Sequence, residues 1–62
     1  MNNSEIKIGS LFLYSFQGVQ LALVKNMEEE KDRIRLFFFE DGSEGWHSLQ
    51  YILSNSSGFK LL

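Results

Sequence analysis

Apolar residues come in short runs separated by polar and glycine-containing breaks, and none of the runs is long enough to carry the buried stripe of a helix. After Gly9-Ser10, the run Leu11-Phe12-Leu13-Tyr14-Ser15-Phe16 predicts a first strand. Gln17-Gly18 turns the chain into a second strand, Val19 to Lys25, with Val19, Leu21 and Leu23 on one face and Ala22 and Val24 on the other. Apolar character on both faces predicts a strand covered twice, as in a strongly curved small barrel. From Asn26 to Asp32 the residues favour helix, yet nothing apolar lies between Met27 and Ile34, so the stretch reads as a solvated hairpin loop.

Strand three runs from Arg33 to Glu40, with Ile34, Leu36 and Phe38 on one face and Arg33, Arg35, Phe37 and Phe39 on the other. Asp41-Gly42 then makes a tight turn, because Asp and Gly adopt positive φ at little cost. Gly45-Trp46-His47 starts strand four, and Ser48 to Tyr51 reads as a single 3₁₀ turn leading to a short strand at Ile52-Leu53. Asn55-Ser56-Ser57-Gly58 has the composition of a flexible linker, and Phe59 to Leu62 is either a closing fifth strand or a loose apolar tail. The expected organisation is a flexible N-terminus over 1–7, a barrel core over 8–54, and a linker with a closing strand over 55–62. The fold class is all-β: a small five-stranded antiparallel barrel of SH3-like or Tudor-like type with one 3₁₀ turn.

Composition narrows the function. A chain of 62 residues buries only about 60% of its unfolded surface, near the limit of independent stability. With no cysteine and one histidine, neither disulfides nor ordinary zinc sites are available to staple it. Stability must come from the 44% of hydrophobic residues, six Phe, two Tyr and one Trp among them, or from a partner subunit. The formal charge of −2 and the scatter of six basic residues argue against a dedicated nucleic-acid binder. There is no span-length apolar run and no basic signal-peptide opening, so the expectation is a soluble intracellular protein with no membrane partner.

The order of these features resembles a Tudor domain, closest to those of Polycomb-like chromatin proteins. Such domains open with a hydrophobic-Gly pair and an apolar strand ending in an aromatic, here Ile8-Gly9 through Phe16. A strand of the form Gly-Thr-Ile-Lys-Lys-Val follows, matched by Ala22 to Met27. Their Phe-Glu-Asp-Asp-Ser signature is matched by Phe39-Glu40-Asp41-Gly42-Ser43, and Ile52 closes the pattern at similar spacing, so the likeness covers residues 8 to 53. It implies an aromatic cage for methylated lysine, with Phe16 and Phe39 as walls and Asp41 and Ser43 at the rim. Gln20 stands where the family places a cage tyrosine, which leaves Tyr14 and Trp46 as the candidate replacements. If the likeness holds, the protein belongs in the nucleus, otherwise in the cytoplasm. Residues 42–52 also resemble the closing segment of SH3 domains, but the tandem tryptophans of a polyproline groove are missing.

The expected function is therefore a non-catalytic recognition module for a cationic or methylated side chain in a peptide, with no cofactor. One alternative is a small stand-alone microbial or phage protein whose exposed aromatic face binds a protein partner or its own copy. A second is a nucleic-acid-binding barrel using Arg33, Arg35 and aromatic stacking. On ordinary structural grounds, Trp46 reads as a core or rim aromatic and His47 as a solvent-facing histidine. Glu40, Asp41 and Glu44 read as turn and solubility residues. No phosphate-binding loop, nucleophile motif or base-plus-orienter pair points to an enzyme.

Overall fold

The alternating runs form five strands, β1 (Leu11–Tyr14), β2 (Gln20–Glu28), β3 (Arg33–Phe38), β4 (Glu44–Ser48) and β5 (Phe59–Leu61). A computed structural model of the chain describes residues 6–15, 18–54 and 56–62. The strands make one sheet in the order β4-β3-β2-β1-β5, antiparallel at every junction, which meets the all-β five-stranded expectation. The two ends of this sheet, β4 and β5, share no ladder among the described residues. A short helix, α1 (Leu49–Leu53), packs against both and spans the gap.

One face of the sheet holds the core. Phe12, Ala22, Val24, Ile34 and Leu36 are buried together with Ile6 and with Leu49 and Ile52 of α1, while Met27, Phe38, Leu53, Phe59 and Leu61 pack around them. Ile6 thus joins the core from within the stretch expected to be a flexible terminus. Val24 pairs with Leu36 and Asn26 with Arg35, so Lys25 is an extra residue, a β-bulge. The bulge restores alternation, because Met27 follows Val24 on the core side at a spacing of three.

The opposite face of β2 is not covered, contrary to the expectation of a strand buried twice. A single sheet with one helix at its end has no second layer to lay over Leu21 and Leu23.

The region after β4 also differs from the sequence reading. Leu49–Leu53 is α-helical, so no strand forms at Ile52-Leu53, and the 3₁₀ turn lies instead at Glu29–Lys31, inside the β2–β3 connection. Two things favour the helix. Ser48 caps it, its hydroxyl accepting from the Tyr51 N–H at 3.3 Å, and Leu49 and Ile52 at i and i+3 both reach the core. Asp32, in the left-handed region at φ 52°, ends the 3₁₀ turn where a short polar side chain tolerates that conformation.

The segment before β5 is fastened rather than free. Ser57 is buried, its hydroxyl 2.9 Å from the carbonyl oxygens of Ile52 and Ser54 and 3.2 Å from the Phe59 N–H. Of the two readings left open for the C-terminal segment, the paired strand is the one formed: Phe12, Leu13 and Tyr14 of β1 face Leu61, Lys60 and Phe59.

Candidate functional site

Strand alternation divides the aromatic residues between two sites. On the core side, Tyr14 stacks on Phe59 with ring centroids 4.2 Å apart and meets Phe38 edge-on at 6.1 Å. His47 lies 5.9 Å from Phe38 and 6.4 Å from Phe59, joining the cluster across the gap between β4 and β5. It is therefore an inward, half-buried histidine and not the solvent-facing one expected, and removal from water holds its pKa below the ordinary imidazole value. As adjacent strand residues His47 and Trp46 face opposite ways, and Trp46 is the one pointing outward.

The outer face has two halves. Along β3 and β4, Trp46 lies under the guanidinium of Arg33, 4.3 Å from the ring centroid, and that of Arg35 approaches to 5.9 Å. Arg33 pairs with Glu28, and Arg35 with Glu44. Carboxylates thus neutralise both arginines, and the indole already carries a cation.

The other half is apolar. Cross-strand register aligns Leu11, Leu23 and Phe37 in one row across β1, β2 and β3. Leu13 and Leu21 form a second row, continued by Phe39, whose N–H donates to the Leu21 carbonyl at 3.2 Å. Leu11, Leu21 and Phe39 are 36, 39 and 50% exposed, and Leu62, 66% exposed, adjoins Leu11 through a backbone hydrogen bond of 3.0 Å. Phe37 and Phe39 meet edge to face at 5.3 Å and 87°, forming an aromatic corner.

Beside that corner, Phe39 to Gly42 turns the chain, with the Gly42 N–H donating to the Phe38 carbonyl and Gly42 at φ 73°. The Asp41 carboxylate accepts from the Ser43 N–H at 2.9 Å, which lowers its pKa and stabilises the turn.

The candidate residues read from sequence are thus separated. Tyr14 is on the core face and Trp46 on the outer face; Phe39, Asp41 and Ser43 lie together at the β3–β4 turn, and Phe16 falls outside the described residues. Sequence reasoning paired Phe39 with Phe16 and passed over Phe37 as a wall, although their shared strand parity was visible. It also missed the leucine rows, which depend on the register between strands.

Among the described residues there is no enclosed pocket, no acidic or histidine cluster placed to hold a metal, and no helix long and apolar enough to cross a membrane. Compared with known proteins, the chain matches no family model, no curated protein and no solved structure, and nothing identifies a Tudor domain.

Proposed function

We propose that this chain is a non-catalytic protein-binding module that works through the apolar half of its outer sheet face. The observation that carries the reading is the pair of leucine–phenylalanine rows, in which Leu11, Leu21 and Phe39 are exposed to solvent and Leu13, Leu23 and Phe37 half-exposed. Water at such a surface gains on release, and monomeric proteins seldom leave a continuous apolar area of more than a few hundred Å² uncovered. Among the described residues the face holds no pocket and is flanked by charge, which suits a protein surface better than a small molecule. The test is a photo-crosslinking residue at Leu21, compared with one at Lys31 in the exposed 3₁₀ turn. Discrete protein adducts in cells from position 21 but not 31 support the module; their absence at 21 removes it.

A second reading, the capture of a methylated or otherwise cationic side chain as in Tudor domains, is favoured by the Phe37–Phe39 corner beside Glu40 and Asp41. Aromatic faces and a carboxylate together attract such a cation. Phe37, not Tyr14 or Trp46, would stand in for the cage tyrosine that Gln20 replaces. Titrating the labelled protein with lysine and trimethyl-lysine peptides tests it, with methyl-dependent shifts at Phe37 and Phe39 as the expected result.

A further inference from the structure

We infer that the junction of β4 and β5 is an acid-opened seam: a proton on His47 favours release of β5 while β1 to β4 stay paired. Neighbouring strands elsewhere in the sheet are joined by ladders, whereas β4 and β5 share none among the described residues. Side chains close the gap instead. His47 of β4 reaches Phe59 of β5 at 6.4 Å between ring centroids, and both rings lean on Phe38 of β3, at 5.9 and 6.3 Å. Behind them α1 packs on both strands, and the buried Ser57 hydroxyl ties its end to the start of β5. On its other side β5 has a ladder of three residues with β1. The Ser15 N–H donates to the Gly58 carbonyl and the Leu62 N–H to the Leu11 carbonyl, each at 3.0 Å. A strand this short, paired along one edge, is the sort of unit that opens without the rest.

His47 is the group in the seam on which a proton acts. Its ring is half-buried against two phenylalanines, and among the described residues no carboxylate pairs with it. From β1 the core side receives one titratable group, Tyr14, stacked on Phe59. Arg33 and Arg35 of β3, Glu44 of β4 and Lys60 of β5 have the opposite, outward parity. α1 carries no charged residue and its Tyr51 is exposed, while Asp32 gives both carboxylate oxygens to Ser48 and Gln50. An imidazolium between these rings gains aromatic faces but no counter-ion, and forgoes part of its water. Moving β5 away returns that water, so opening takes up a proton. The open chain titrates near the free imidazole value of about 6.5 and the closed chain lower, so falling pH in this window favours the open form. Opening bares the edge of β1 from Leu11 to Tyr14.

Amide exchange of the full chain, read by NMR from about pH 7.5 to about pH 5 and corrected for the intrinsic rate at each pH, tests the proposal. Two results are expected together. The Ser15 and Leu62 amides, which bond between β1 and β5, should exchange well ahead of those of Phe38 and Leu49, which bond to Ser43 and Asp32. Their protection should also fall several-fold as the pH falls. In His47→Phe, which keeps a ring and removes the proton site, the early exchange should remain and its pH dependence vanish; His47→Gln serves if that variant fails to fold. Equal protection at all four amides shows that β5 leaves only when the whole chain unfolds, and overturns the proposal. Early exchange that ignores pH shows that β5 opens without hydrating His47, and overturns it too. So does a pH dependence that survives the loss of His47.

Discussion

The Ser48 hydroxyl donates a 2.7 Å hydrogen bond to the Asp32 carboxylate and so ties the end of β4 to the turn that begins β3. The other carboxylate oxygen accepts from the Gln50 N–H at 2.9 Å, and the Asp32 carbonyl accepts from the Leu49 N–H at 3.1 Å. One aspartate therefore satisfies the first amides of α1 from another part of the chain, while Ser48 serves Tyr51. Asp32→Ala should lower stability by about 1–2 kcal/mol in urea denaturation. Ser48→Ala should cost about the same, and the double variant less than the two together, because both break one network.

The core makes a sharper demand. Leu36 and Phe12 are fully buried between strands and helix. Leu36→Ala should cost about 2–5 kcal/mol, enough to unfold a chain with so small a core, whereas Leu36→Met should cost less than about 1.5 kcal/mol. Amide dispersion in a two-dimensional spectrum separates the outcomes: collapsed for Leu36→Ala, retained for Leu36→Met.

His47 gives stability a pH dependence of known sign. The unfolded chain takes up the imidazole proton at about pH 6.5, while the folded chain resists it because the ring is partly removed from water. The unfolded state thus binds more protons in this window. The contribution is complete above about pH 6.5 and is lost as pH falls through the lower folded value. Asp41 adds a separate loss in more acid solution, below its ordinary carboxylate range. Denaturation midpoints measured from about pH 7.5 down to about pH 5 should fall for the parent chain and stay flatter for His47→Gln.

Trp46 reports on the charged half of the outer face. With the Arg33 guanidinium stacked over it, the indole is shielded on one side. Arg33→Ala should shift its emission to the red and cost about 0.5–1 kcal/mol. Glu28→Gln, which removes only the half-buried ion pair, should cost about 0.2–1 kcal/mol and leave the emission in place.

The places of the five strands and the direction of Phe37-Phe38-Phe39 were legible because alternation is a local property: Ile34 and Leu36 point inward and Arg33 and Arg35 outward, as their parity requires, although β2 runs on to Glu28 through a stretch that read as loop because the bulge at Lys25 breaks its period. The turn at Asp41-Gly42 was legible for the same reason. What escaped was set by partners distant in sequence. The helix at Leu49–Leu53 depends on Asp32, which no window around Ser48 contains. The burial of His47 depends on Phe59 arriving beside it, and the tie at Ser57 on carbonyls of α1. The candidate site was half legible. Phe39 and its acidic turn could be read from neighbours, but which aromatic completes the corner, and that leucines rather than Tyr14 or Trp46 extend it, follows from register.

The single extra residue at Lys25 makes β2 two strands in one. Before it, the even-numbered Ala22 and Val24 face the core; after it, the odd-numbered Met27 does. A β2 that ran regularly through Lys25, without the bulge, would have to keep one half in phase at the expense of the other, turning Asn26 and Glu28 inward or Ala22 and Val24 outward, whereas a chain lacking that lysine would alternate without a break from Val24 through Asn26 to Met27. The numbering of β2 thus carries a frameshift written in side chains, and the outer face with its leucine rows exists only on the near side of it.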